Sequence, residues 1–244
     1  MKGLTRSILG PSFRRVVTWH ATLDRSPTWA RAGSVYCGTV PVPLNDDFAI
    51  VALGPDTWPL FEDLAGRHNG VFGGCWCIYF HPDGPERGQG AEANRALKKR
   101  YVEQGRAHAA LVVDGEEAVA WCEYGTPDEL PTIHHRKQYE AEMDMLPDYR
   151  LTCIFVDRRY RRRGLAEVAL HGALDLIAQA GGGVVEGYPH ELGEKKLSSS
   201  FLYNGTRAMY ERAGFAYIRS KGLRNCVMRR TVEPVSTIAA QSRS

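Results

Sequence analysis

Leu151-Thr152-Cys153-Ile154-Phe155-Val156 is an unbroken apolar, β-branched and aromatic run, followed at once by the basic turn Asp157-Arg158-Arg159-Tyr160-Arg161-Arg162-Arg163-Gly164. No other stretch constrains the fold as much. Six such residues suit a buried strand. Beyond Gly164, the positions Leu165, Ala169, Ala173, Leu176, Ile177 and Ala180 recur at helical spacing. Ala166, Leu170 and Leu174 widen that stripe until Gly181 ends it. The chain therefore passes from a buried strand through a basic turn into a long helix, which aims the turn at the end of a sheet, where α/β proteins bind ligands.

A helix N-terminus carries unpaired N–H groups and the positive end of the macrodipole, so this junction is suited to an anion such as phosphate. Gly164 and Ala166 keep backbone approach clear, while Arg161, Arg162 and Arg163 can add charge-assisted bonds. Five arginines in six residues, 158–163, would without context read as a solvated face or a nucleic-acid patch. Their place between a strand and a Gly-entered helix favours the anion site.

Arg161-x-x-Gly164-x-Ala166, five residues after Val156, resembles the acyl-CoA pyrophosphate loop of the GNAT superfamily of N-acetyltransferases. Tyr210-Glu211-Arg212-Ala213-Gly214-Phe215 is similar to that superfamily's Y-x-x-x-G-F helix end. The two motifs stand in the family's order, one helix and one strand apart, and the resemblance covers roughly residues 47–231. It implies an α/β (α+β) fold with a mixed, mostly antiparallel central sheet and helices on both faces. It also implies acetyl-CoA as acyl-donor cosubstrate and an amine, small molecule or peptide, as acceptor.

Residue by residue, the resemblance assigns the strand positions Ile154, Phe155 and Val156 to the pantetheine arm. Arg161, Arg162, Arg163, Gly164, Leu165 and Ala166 are assigned to the pyrophosphate. Asn204 stands near a CoA-contacting asparagine but one residue closer to Tyr210 than the commonest spacing; helix capping by Asn204 or Thr206 is the competing reading. Tyr210 would protonate the departing thiolate, whose ordinary pKa near 8.5 is close to a tyrosine's value of about 10. Some members place a glutamate on the central strand, and this chain has none there. Glu186 on the next strand is taken as the general base, with Glu123 at the end of the preceding hairpin as the substitute. Cys75-Trp76-Cys77 matches a segment found in some members, where Trp76, Tyr79 and Phe80 would line the acceptor pocket. Cys75-x-Cys77 with His81 is too few ligands for structural zinc, so no metal is expected.

The chain has 244 residues, 43% hydrophobic and 24% charged, with a net charge of +3. That is an ordinary globular balance, and so small a charge argues against nucleic acid as main partner. No apolar run approaches the roughly 18 residues of a membrane span, and the basic N-terminus lacks the apolar stretch of a signal peptide. A cytoplasmic protein is expected, with its six cysteines as reduced core thiols and a homodimer as its expected oligomer.

Residues 1–46 lack sustained periodicity and contain Pro11, Pro27, Pro41 and Pro43, which reads as an N-terminal extension, disordered in whole or part. Residues 47–231 are the transferase-like domain and 232–244 a flexible tail. Within the domain, strands are expected at 48–53, 75–80, 109–113, 118–122, 151–156, 183–188, 215–219 and 225–230. Helices are expected after a Thr57 cap, over 93–104, from Leu165 and over 206–213, with 126–148 a polar insertion helical near 134–143. Asp114-Gly115 suits a tight hairpin turn.

Two other functions compete: a non-catalytic acyl-CoA-binding regulatory module and a basic-patch nucleic-acid binder. Gly88-Gln89-Gly90-Ala91-Glu92-Ala93 mimics a dinucleotide fingerprint but lacks the tight strand-turn-helix geometry. No Walker loop and no G-x-S-x-G elbow occurs.

Overall fold

The computed structural model describes residues 43–45, 48–84, 90–191 and 202–235. Eight strands form one sheet: β1 (Pro43–Asn45), β2 (Phe48–Ala52), β3 (His108–Asp114), β4 (Glu117–Gly125), β5 (Tyr149–Val156), β6 (Gly183–Gly187), β7 (Ala216–Lys221) and β8 (Asn225–Val232). Their order is β1-β2-β3-β4-β5-β6-β8-β7, and every neighbouring pair is antiparallel except β5 with β6. The parallel pair is joined by α4 (Leu165–Gln179), since parallel neighbours require a crossover connection.

Helices cover both faces. On one side α4 and α5 (Arg207–Arg212) bury Leu170, Ala173, Ile177 and Met209 against Val112, Cys122 and Met228. On the other, α1 (Trp58–Arg67) and α2 (Gly90–Glu103) bury Phe61, Leu64, Leu97 and Tyr101 against Leu111, Trp121 and Phe155. A short α3 (Arg136–Ala141) packs Tyr139 against Tyr188. The expected mixed, mostly antiparallel sheet with two-sided helices is what the chain forms. β5, apolar on both sides, sits at its centre.

β5 carries the irregularity that shapes the site. Glu123 pairs with Cys153 and Tyr124 with Leu151, so Thr152 is an extra residue, a β-bulge. A bulge bends its strand and increases local twist. β5 and β6 stay paired at Tyr149↔Val185, Arg150↔Glu186 and Leu151↔Gly187, and part beyond them.

Several expectations change. Residues 75–80 are not a strand: Asn69, Gly70, Val71, Phe72, Gly73, Gly74, Trp76 and Cys77 all have positive φ, winding this stretch into left-handed turns. The apolar, aromatic run suits extension, but here Trp76 and Cys77 reach the core from coiled backbone, and the Trp76 ring stacks 6.5 Å from Trp58. Thr57 does not cap α1 with its side chain; its hydroxyl accepts from the Gly54 N–H and donates to the Ala52 carbonyl. The β3–β4 turn is Gly115-Glu116, one residue later than expected. β1 lies within the segment read as an extension, and the rest of that segment falls outside the described residues. β8 runs to Val232 and the Val235 N–H donates to the Ala178 carbonyl, so the described part of the expected tail packs on α4.

Candidate functional site

Where β5 leaves β6, a cleft of about 930 Å³ opens between the end of the sheet, the start of α4 and the residues before α5. Ile154, Phe155 and Val156 line its floor, Arg161, Arg162, Gly164, Leu165 and Ala166 one end, and Leu202, Gly205, Thr206 and Met209 one side. His68, the C-cap of α1, with Asn69, Val71, Phe72 and Gly73 from the left-handed segment after it, forms the opposite wall.

The basic turn folds as it does for identifiable reasons. Asp157 ends β5, is fully buried, and its carboxylate accepts from the Arg159 N–H (2.9 Å), starting a single 3-10 turn over Arg158–Tyr160. Burial pushes that carboxyl up, but Arg159, its backbone N–H and His68 hold it well below the usual range. Arg162 (φ 64°) and Gly164 (φ 78°) then turn the chain in left-handed conformations, and Gly164 becomes the N-cap of α4. Its carbonyl accepts from the N–H groups of Glu167 and Val168, while those of Leu165 and Ala166 ahead of them have no intrahelical partner. A Cβ on Gly164 would meet nothing within 4 Å, so the glycine answers the backbone angle.

The arginines divide by role. Arg158, Arg161 and Arg162 line the cleft. Arg159 is taken by Asp157 and Glu117 (2.6 Å to the latter). Arg163, expected at the pyrophosphate, instead lies over the rings of Phe48 (5.4 Å) and Tyr160 (5.1 Å). Its residue number fits the motif, but the left-handed turn just before it sends the side chain toward β2. Arg212 adds a further cation to the cleft wall, paired with Glu167.

Beyond Leu151 the β6-facing edge of β5 is free of strand pairing, and the Ile154 N–H is met by the Tyr203 carbonyl at 2.6 Å. Asn204 does not line the cleft: it is buried and its amide donates to the Tyr188 carbonyl (3.2 Å). Thr206 resolves the capping question, since its hydroxyl accepts from the Met209 N–H.

Tyr210 is fully buried and stands one layer behind the wall. A Cβ on Gly187 would fall 2.1 Å from its ring, and one on the wall residue Gly205 3.5 Å from it. Burial, with Cys122 and Cys226 nearby, raises its pKa well above the ordinary value.

Neither carboxylate expected as base reaches the cleft. Glu186 is fully buried and saturated: it accepts from the hydroxyls of Tyr139 (2.7 Å) and Tyr188 (3.0 Å) and from Arg229 Nε (2.7 Å). Arg229 also holds Asp144, so this is a strut joining β6, β8 and the loop after α3. The alternation of β6 turns Glu186 to that side, a choice that its position in sequence does not reveal.

Glu123 lies on the α2 side in a second buried polar group. Its carboxylate is bonded to Lys98 Nζ and accepts from the Thr152 hydroxyl (2.7 Å); Lys98 also donates to His81 (3.1 Å). Burial pushes the Glu123 carboxyl up, but Lys98 and His81 hold it down, to about 2. Burial and Lys98 lower the His81 pKa. The group pins the bulge residue Thr152, and so sets where β5 leaves β6.

His81 is thus committed, and the Cys77 Sγ lies 2.7 Å from the Cys153 Sγ; no group of three or more His, Cys, Asp or Glu suited to a metal occurs among the described residues. Tyr79 and Phe80 pack with His134 and Tyr203 beside the cleft, whereas Trp76, expected at the acceptor pocket, is core. No helix among the described residues is long and apolar enough to cross a membrane.

No protein-family model and no curated protein matches the chain. Solved structures do. A protein from Desulfovibrio desulfuricans assigned to the GNAT family of acetyltransferases is 17% identical over 76% of this chain and 99% of its own, with a TM-score of 0.44. The ribosomal-protein-S5-alanine acetyltransferase of Vibrio fischeri is 11% identical over 80% and 97%, with a TM-score of 0.48. A mosquito protein described as arylalkylamine N-acetyltransferase like 5b is 13% identical over 75% and 99%, with a TM-score of 0.47.

Proposed function

We propose that this chain is an acyl-CoA-dependent N-acyltransferase that moves an acetyl group from acetyl-CoA to an amine by direct attack in a ternary complex. The observation that carries it is the conjunction, in one cleft, of a parted parallel pair β5–β6 and a Gly-entered α4 whose N-terminus is flanked by Arg158, Arg161 and Arg162. The open β5 edge offers peptide groups to the amides of a pantetheine arm. The α4 N-terminus and the arginines suit its pyrophosphate. With Tyr203 on the Ile154 N–H, a bound arm displaces that carbonyl or bonds around it.

Direct attack is favoured because no cysteine or serine lines the cleft among the described residues, and the described cysteines are held as thiols by burial. An alkylamine is protonated at neutral pH, and removing its proton there takes about 4.6 kcal/mol. With Glu186 and Glu123 both committed to buried ion pairs, the amine loses its proton to water before attack. Transfer then rises with pH toward the acceptor's own pKa. Tyr210 is the proposed proton donor to the thiolate, reached when the bound donor moves the Gly205 wall.

The test is a CoA-induced thermal shift combined with free-thiol release from acetyl-CoA across an amine panel. Binding with transfer supports the proposal, and binding without transfer to any amine favours the non-catalytic module. Tyr210→Phe is expected to slow thiol release by about 10²-fold or more with CoA binding intact. An unchanged rate would leave Tyr210 as a core aromatic.

A further inference from the structure

Cys77 and Cys153 lie 76 residues apart in sequence, in different elements, yet their sulfurs are 2.7 Å apart. Both side chains are buried, and both belong to the core between the sheet and α1 and α2. Cys75, half-buried, is near enough to act electrostatically on both. A second, independent feature bears on the pair. Cys77 ends the left-handed segment, in which the non-glycine residues Asn69, Val71, Phe72, Trp76 and Cys77 all have positive φ. L-residues resist that conformation, Val71 most of all because of its branched Cβ, and such a run persists where its surroundings over-determine it. A covalent tie from Cys77 to the central strand would supply that determination at the end of the run.

We propose that Cys77 and Cys153 are a disulfide-forming pair, oxidised by a hydroperoxide, which staples the left-handed segment to β5 and fixes the wall that Asn69, Val71, Phe72 and Gly73 give the cleft. The chemistry balances in two steps. The small fraction of Cys77 that burial allows as thiolate attacks the peroxide O–O bond, giving a sulfenic acid and a hydroxide or alkoxide, which takes up the proton the thiol released to become water or an alcohol. The Cys153 sulfur then displaces the sulfenic hydroxyl, its proton leaves with that oxygen as water, and the S–S bond forms. Two electrons pass from the thiol pair to the peroxide. Because both thiols are buried the reaction is slow, and the disulfide, once formed, is shielded from external thiols.

The experiment uses the full chain with its six cysteines, treated with hydrogen peroxide, alkylated under denaturing conditions and mapped by mass spectrometry. The expected result is loss of two thiols, a linked Cys77–Cys153 peptide, and a thermal midpoint raised by about 5–10 °C that dithiothreitol reverses. Cys75→Ser is expected to keep the link, and Cys77→Ser or Cys153→Ser to abolish it. A link through Cys75, a link between chains, or retention of both thiols after prolonged treatment would overturn the proposal. If the serine variants fail to fold, the wild-type peptide map decides alone. None of these readouts needs a substrate, so the result stands apart from the acyltransferase reading.

Discussion

Lys98→Met keeps a long buried side chain but deletes its charge, leaving the Glu123 carboxylate with His81 and Thr152 as partners. Both Lys98 and Glu123 are 1% exposed, so solvent cannot take over the lost interaction. Breaking a buried ion pair from one side costs about 3–5 kcal/mol. The partners together outweigh desolvation: burial pushes the Glu123 carboxyl up, yet Lys98 and His81 hold it at about 2 against an ordinary 4.5. That difference corresponds to about 3 kcal/mol at neutral pH.

Urea unfolding followed by tryptophan fluorescence, with Trp121 in the adjoining core, is the assay. Lys98→Met is expected to lose about 3–5 kcal/mol, and the double variant Lys98→Met/Glu123→Leu less than the sum of the two singles, with a coupling of at least about 2 kcal/mol. The pH dependence follows from the depressed carboxyl. Its contribution is complete above about 4.5 and is lost as pH falls through about 2, so the gap between wild type and Lys98→Met narrows over that window. Additive single and double effects, or a gap unchanged between pH 4.5 and 2, would refute the assignment of the pair as a mutually dependent buried unit.

Three further outcomes are expected. Replacing Arg161 and Arg162 together by alanine should weaken CoA binding by about tenfold or more and flatten its salt dependence, whereas Arg163→Ala, whose side chain covers Phe48, should leave affinity unchanged and lower the thermal midpoint. Glu186→Gln should destabilise the fold by about 2–4 kcal/mol through the loss of its Arg229 pair, with the shape of the pH–rate profile preserved; a displaced profile would restore Glu186 as a base. Lys221 is 2% exposed, and burial with Arg219 and Arg150 nearby lowers its pKa to about 8 from 10.5. The unfolded chain therefore binds more protons between those values, wild-type stability rises with pH across that window, and Lys221→Met should stabilise by about 1–3 kcal/mol at pH 7 with the gain vanishing above about 10.5. Denaturation series at pH 7 and 10.5 check the last.

Local order carried a large share of the architecture. The apolar run of β5, the helical period of α4 and the Gly164 turn between them are written in adjacent residues, because strand burial, helix periodicity and positive φ are properties of neighbours. The backbone course of the basic end of the cleft was therefore legible, but not that Arg163 would turn away from it onto Phe48. The segment after α1 was not. Trp76, Cys77 and Ile78 have the composition of a strand, and only packing against Trp58, Phe61 and Cys153 selects left-handed turns.

The far wall formed by His68, Asn69 and Phe72 was invisible for that reason: it exists because a coiled segment is folded back onto Phe155. Glu186 and Glu123 show the same limit in charge. A carboxylate's number on a strand says which neighbours it has along the chain, while its role depends on whether Arg229, Tyr139, Lys98 or Thr152 arrives from elsewhere to saturate it. Adjacent residues alone set the sheet's central strand, the crossover helix and the basic, Gly-entered turn between them. Tertiary structure decided which arginines face the cleft, which acids are struts, and that Thr152, pinned by a buried ion pair, opens the sheet there; these depend on contacts between residues tens of positions apart, which no local pattern encodes.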